Sequence, residues 1–398
     1  MTSEDLQSAL TTQSEGRRKT IGAESHYFHP ARALASARRI VVKIGSDLIV
    51  DRATGATRER WLEMLVHDIA RYWRRGLDIA LVSSGAVAIG RHALDLQCGK
   101  LSGKERRAAA AIGQMKLARA HREIFARHGL TTAQLLLALE DTTERRRMRN
   151  LRVTMNGLLT LRAVPVLNEN DAIGAEPSFS DNDQLAARVA KLVASDTLVL
   201  LSNVSGLYSA DPHEMPNATL IREVQEVTPE IELMAGRFRS DQGTGGMVTK
   251  LAAARLALAS GFNMIIADGR RAHPLSAIEA GEPCTWFRPP ATARASRKTW
   301  IAGTMKPTGT LMVDSASTTR LRLGGGLRLG GLISFEGDFS RGDAVILQDL
   351  RRREIARGLS VYSSSELRRM AQLSGTPGRS VCREPDKIVD SEDLALTE

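Results

Sequence analysis

The sequence predicts an α/β fold, an open and mainly parallel sheet sandwiched by helices, followed by a small C-terminal β-rich barrel. Three observations lead there. Apolar, β-branched runs alternate with helix-period segments from residue 39 to residue 267. One of them, Ala163 to Leu167, is apolar throughout, as strands buried on both faces are. After a stretch of Pro, Ala, Thr and Arg, short β-like runs punctuated by glycine take over. The 398 residues suffice for two or three domains, and 42% hydrophobic with 25% charged residues is an ordinary globular composition.

Residues 1–36 read as a polar, disordered extension. They lack the apolar core of a secretory signal, and Glu4, Asp5, Glu15 and Glu24 count against a transit peptide. Residues 37–288 form the α/β domain. Its first strand, Arg39 to Ser46, carries Lys43 on an apolar run, so the ammonium must leave at the strand end or find a partner. Gly45 lets backbone approach a ligand. Residues 57–75 are an amphipathic helix closed by Arg74, Arg75 and Gly76. Strand Asp78 to Val82 runs through Ser83-Ser84-Gly85-Ala86 into another helix, a geometry that suits an anion.

Residues 104–128 are a long helix, Leu130 to Leu137 a strand, and 144–161 an arginine-rich helix read as a solvated face. Ala163 to Leu167 is a buried strand ending in Asn168-Glu169-Asn170-Asp171. A short loop leads to Asp181-Asn182-Asp183, which opens a helix with an acidic first turn. Strand Thr197–Leu201 precedes the loop Ser202 to Tyr208; Gly243 to Lys250 leads into a helix over 251–260, and strand Asn263–Ala267 closes the series. Residues 289–306 are a linker, 307–372 the β-rich domain, and 373–398 a mixed-charge tail with no core.

The net charge of +10 comes from arginines spread along the chain, which describes a solvated surface better than a nucleic-acid stripe. Cys98, Cys284 and Cys382 lie too far apart for a disulfide framework or a zinc site, and fit a reducing, cytoplasmic setting. No apolar run reaches the ~18 residues of a membrane span.

The carboxylates and carboxamides between Asn168 and Asp183 lie at a strand end and a helix start, where open α/β sheets bind ligands. Neither a G-x-x-x-x-G-K-[ST] loop nor a dinucleotide glycine fingerprint is present. What remains is Lys43 and Lys250, each beside glycines at an element boundary, around an acidic centre. Lysines converging with backbone N–H groups suit phosphoryl transfer, in which catalysis is mainly positioning and charge neutralisation. On spacing alone, each lysine could equally be a surface residue.

Val42-Lys43-Ile44-Gly45-Ser46, Ser83 to Ala86, Asn150-x-Arg152-x-Thr154, Asn168 to Asp171, Asp181 to Asp183, Gly206-Leu207-Tyr208, Asp211-Pro212 and Gly243 to Lys250 occur in one recognisable order. Together with Phe339-Ser340-Arg341-Gly342 they resemble the glutamate 5-kinases of the amino acid kinase family, which carry a C-terminal PUA domain. The resemblance implies an amino-acid-kinase-like sheet and ATP-dependent phosphorylation of the L-glutamate side-chain carboxylate, with Mg²⁺ on the phosphates and no dedicated protein metal site. It implies that Lys43 and Lys250 neutralise the phosphoryl group and that Asp183 orients them. Ser84, Gly85, Asp171 and Asn182 would hold glutamate. Ser202, Asn203, Thr244, Gly245, Gly246, Met247, Val248, Thr249 and Lys250 would line the nucleotide site. Glutamyl phosphate reductase, RNA at the PUA domain and further copies of the chain in a homo-oligomer are the candidate partners. A paralogue kinase for a glutamate-like acid and an RNA-binding protein are the alternative readings. The chain departs from the family pattern at Asn203 and Ser205, where Asp is usual, and at Asp47, where a small neutral residue is usual. The loop Ala172 to Ser180 is one residue short, from which weakened inhibition by proline is expected.

Overall fold

The computed structural model describes residues 34, 37–96, 99, 101–173, 181–212, 214–236, 246–290, 307–374 and 387–397. Strand β1 (Arg39–Ile44) enters a short helix α1 (Ser46–Ile49), and α2 (Glu59–Arg74) leads to β2 (Asp78–Ser83). Helices α3 (Ala86–Ala93) and α4 (Gly103–Arg127) precede β3 (Thr132–Leu137). Then come α5 (Arg145–Thr160), β4 (Val164–Glu169), α6 (Asn182–Leu192) and β5 (Thr197–Ser202). A hairpin of β6 (Leu207–Tyr208) and β7 (Leu220–Ile221), strand β8 (Glu223–Val224), α7 (Pro229–Gly236), α8 (Met247–Ser260), β9 (Asn263–Asp268), α9 (Pro274–Glu279) and β10 (Cys284–Phe287) complete this part.

The large sheet has the order β3-β4-β2-β1-β5-β9-β10-β8, parallel from β3 to β9. Asn263–Ala267 was expected to end the series; instead β10 adds antiparallel to β9, and β8 adds parallel to β10. The four-residue run Cys284–Phe287 is too short to stand out in sequence, but it satisfies backbone groups that β9 would otherwise expose. A second difference bears on the site. Helix α8 starts at Met247, not 251, so Lys250 projects from its first turn.

Period-two alternation sorts the sheet residues onto two faces. Ile40, Val42 and Ile44 pack with Leu62, Leu65 and Ile69 of α2 and with Phe125 of α4. Val41 packs on the other face with Leu185 and Val189 of α6 and Leu251 and Ala254 of α8. Lys43 shares the face of Val41. That alternation is why its side chain runs toward α6 and α8. Helices α3 and α4 meet backbone to backbone: a Cβ on Gly113 would stand 1.7 Å from the Ala86 carbonyl oxygen.

His121 of α4 is buried beside Phe125, with Nδ1 2.9 Å from the Leu117 carbonyl. Burial pushes its pKa down to about 4. Because the folded value lies below the unfolded one, its contribution is fully present above the ordinary value of ~6.5 and is lost as pH falls toward the folded value, at most ~3 kcal/mol. Denaturant titrations at about pH 7 and about pH 4 should show this loss, and His121→Met should remove that part of it.

The C-terminal domain contains β11 (Gly309–Val313), α10 (Ser315–Arg322), β12 (Leu327–Arg328), β13 (Leu332–Gly337), β14 (Ala344–Gln348), β15 (Glu354–Ser360), α11 (Ser364–Ser374) and β16 (Lys387–Leu396). Its sheet, β12-β16-β15-β14-β11-β13, curls into a half-barrel. The coreless tail expected over 373–398 is corrected here. β16 pairs with β15 and β12, and Ile388, Val389 and Leu394 join the domain core. Ile388, Val389, Leu394 and Ala395 are buried, but Asp390, Ser391, Glu392 and Asp393 interrupt them, so the pattern does not read as a strand without its partners. The linker expected at 289–306 lies, from 291 on, outside the described residues, as do residues 1–33 of the extension.

The turn Phe339 to Asp343 docks this domain against the amino ends of the large sheet's strands. Arg39 NH2 donates to the Arg341 carbonyl (3.3 Å), Asn156 Nδ2 to Asp343 Oδ1 (3.1 Å), and Arg341 NH1 to the Gly76 carbonyl (3.4 Å). A Cβ at Gly342, whose φ is 77°, would come within 2.7 Å of Arg39 NH1. The site residues lie at the opposite, carboxyl ends of the strands.

Candidate active site

At those carboxyl ends, β1, β2, β4 and β5 deliver Lys43, Ser83, Asn168 and Ser202 to one edge. Lys43 is 5% exposed, Asp183 0% and Lys250 6%. Lys43 Nζ lies 2.5 Å from Asp183 Oδ1, and Lys250 Nζ donates to Asp183 Oδ2 at 3.1 Å. One carboxylate thus holds two ammonium groups that arrive from a strand and from a facing helix. Asp181 Oδ1 is 3.9 Å from Lys43 Nζ, and Thr249 Oγ1 donates to Asp181 Oδ2 (2.9 Å) and Asp183 Oδ2 (3.2 Å).

Burial alone would raise the Asp183 pKa, but the charges of Lys43 and Lys250 override it and hold the carboxyl well below the usual carboxylate range. For Lys43, burial opposes the charged form and Asp183 with Asp181 overcomes it, raising its pKa. Asp181 moves the other way: burial and the neighbouring Asp183 charge raise it. Lys43 is therefore held in its charged form, and Asp183 is a poor proton acceptor. Asp47, the extra carboxylate near this edge, is neutralised by Arg52, whose NH2 donates to it at 2.7 Å.

Two helix amino termini complete the edge. Gly85 caps α3 and Gly246 caps α8, neither with a side-chain hydrogen bond, so first-turn N–H groups are available to an anion. Gly85 sits at φ 113°, and a Cβ there would meet Val50 Cγ2 at 2.9 Å. Only glycine fits this turn.

Beside the lysines runs a chain of amides. Asn182 Nδ2 donates to Ser84 Oγ (2.7 Å) and to Asn168 Oδ1 (2.9 Å). Asn168 Nδ2 donates to Gln114 Oε1 (2.9 Å), Gln114 Nε2 to Gln134 Oε1 (3.0 Å), and Gln134 Nε2 to the Val166 carbonyl (2.9 Å). The Glu169 N–H also donates to Asn168 Oδ1 (2.9 Å). Backbone groups orient Gln134, through the Val166 carbonyl, and Asn168, through the Glu169 N–H, while Asn182 at the other end reaches the side chain of Ser84. The close approach of α3 and α4 at Gly113 is what brings Gln114 within reach.

The structure brings Lys43, Asp183, Lys250 and Thr249 into one cluster, and Ser84 and Asn182 into the neighbouring one. Asp171 stands apart from them and accepts from Arg106 NH2 of α4 at 3.2 Å. Ser202 Oγ donates to Asn203 Oδ1 at 3.3 Å. Met247 packs into the core, leaving its backbone to face the edge, whereas Val248 is exposed. Thr244 and Gly245, like residues 174–180 of the loop from which weakened proline inhibition is expected, lie outside the described residues. Asp181, Gln114, Gln134 and Arg106 were not assigned roles from sequence. Asp181 could have been, by its place in the acidic helix start; the glutamines and Arg106 sit on elements that nothing in sequence ties to the site.

The amino acid kinase family profile matches residues 38–268, and the PUA domain profile residues 309–376. The chain is 48% identical over 366 residues to a glutamate 5-kinase of Paramagnetospirillum magneticum, covering 91% of this chain and 99% of that one. It is 49% identical over 375 residues to a glutamate 5-kinase of Rhizobium etli, covering 92% and 95%. Among solved structures, carbamate kinase from Giardia lamblia bound to AMP-PNP aligns with a TM-score of 0.47 and 16% identity, over 64% of this chain and 100% of that one.

Proposed function

The chain belongs to the amino acid kinase family, and on that premise we propose that it phosphorylates the side-chain carboxylate of L-glutamate with ATP, giving L-glutamyl 5-phosphate in proline biosynthesis. The observation that carries the chemistry is the Lys43–Asp183–Lys250 clasp, a buried pair of ammonium groups sharing one carboxylate. A carboxylate nucleophile is already ionised at neutral pH and needs no proton removed. Its oxygen attacks the terminal phosphorus, the bond from that phosphorus to the β-phosphate oxygen breaks, and ADP leaves. Charge spreads over the transferring oxygens, where Lys43, Lys250 and the N–H groups of α8 can meet it. The choice of glutamate rests on the two bacterial relatives.

Ser84, Gly85 and Asn182 would hold the substrate carboxylates, and Asp171 its ammonium. Ser202, Asn203 and the turn through Gly246 would line the nucleotide. Both oxygens of Asp183 are engaged by lysines, so Mg²⁺ would be carried on the phosphates, whose charge it would neutralise. Glutamate-dependent ADP release is the test. ADP formed with glutamate and not with aspartate supports the reading; no release with glutamate overturns it.

Asp171→Asn should raise the glutamate KM strongly with little change in kcat, because a truncated charge pair costs about 2–5 kcal/mol. Arg106 does not block this role, since its half-exposed side chain makes one weak surface pair that an ammonium can displace. A collapsed kcat at unchanged KM would instead place Asp171 at the reacting atoms. Gln114→Glu puts an acceptor against Gln134 Oε1 and breaks the amide chain. The expected result is a glutamate KM roughly tenfold higher, the effect of a lost half-buried hydrogen bond, with kcat nearly kept. Steady-state kinetics in both substrates separate the two parameters.

A further inference from the structure

We propose that His67, His273 and Asp68 bind a divalent transition-metal ion of the zinc class at the seam between α2 and α9, away from the lysine clasp. One donor atom from each residue lies within 4.8 Å of the other two. His67 and Asp68 are neighbours on α2, and His273 is the residue immediately before α9. The rings of His67 and His273 stand 5.1 Å apart between centroids, at 75°.

Asp68 is fully buried and firmly held. Its Oδ2 accepts from the N–H groups of Leu275 (3.0 Å) and Ser276 (3.1 Å), and its Oδ1 accepts from Ser276 Oγ (2.6 Å). That same Oδ1 lies 3.3 Å from His273 Nδ1, which sets the two donor atoms side by side. His273 adopts φ 51° and ψ 61°, the left-handed conformation that turns its ring back over α2. Two imidazoles with a carboxylate oxygen suit Zn²⁺, Co²⁺ or Ni²⁺; Mg²⁺ and Ca²⁺ prefer all-oxygen sets. His67 is exposed, so an ion can enter from solvent and keep water in its remaining position. A bound ion would tie α2 to the segment after β9, where the Gly269 carbonyl already accepts from Trp61 Nε1 (2.6 Å).

The test is equilibrium dialysis and calorimetry of the tag-free full chain with zinc sulfate, with cobalt sulfate for visible absorption and magnesium chloride as control. One zinc per chain is expected. His67→Ala and His273→Asn should each weaken binding by at least the ~10–100-fold that losing an outer partner alone costs. Asparagine tolerates the left-handed backbone, so His273→Asn reads the ligand rather than the fold. Should that variant unfold, His67→Ala decides alone, because its exposed ring lies outside the carboxylate network. Absence of zinc binding by the wild type, or equal affinity in the His67→Ala chain, overturns the proposal.

Discussion

Lys43→Ala and Lys250→Ala should each lower turnover by about 10²–10³-fold, with much smaller changes in the glutamate KM. Each ammonium is almost wholly buried and pre-positioned by Asp183, so in the proposed role it would meet developing phosphoryl charge without reorganising. Stabilisation of that kind grows along the reaction and appears in kcat. The two effects should not add fully in the double variant, because both lysines share the one carboxylate of Asp183. Rapid-quench turnover with saturating ATP and glutamate measures this. A variant with near wild-type turnover would remove that lysine from the mechanism.

Asp183→Asn should be the most damaging single change, for activity and for stability together. It leaves two buried ammonium groups facing a neutral amide, and breaking a buried pair by removing one partner costs about 3–5 kcal/mol. The sign with pH follows from the depressed folded value. Stability from Asp183 is present above the ordinary carboxyl range of ~3.9 and is lost only as pH falls through its still lower folded pKa. Wild type and variant should therefore differ fully at neutral pH and converge only in strong acid. Urea melts across that range give the difference, and adding Lys43→Met to Asp183→Asn should recover part of the lost stability by removing one orphaned charge. An Asp183→Asn protein as stable as wild type would mean that the clasp is not what holds the lysines.

The sequence by itself determined the alternating α/β architecture, the change to a β-rich C-terminal part, and the residue types of the site. Apolar runs and helical spacing are local properties, and Lys43 on its strand and Asp183 at its helix start were legible one element at a time. Tertiary structure decided which face Lys43 takes, that Asp183 is shared by both lysines, and that Gln114 and Gln134 complete a chain ending at Asn182. It also decided that β10 extends the sheet and that β16 joins the second core. Each of these is a meeting of segments distant in sequence, visible only once the sheet order β4-β2-β1-β5 and the backbone contact of α3 with α4 put them side by side. Periodicity says which way a side chain points along its own element, but the partner it finds there is fixed by packing, because burying a charge or an amide is tolerable only where another element supplies its complement.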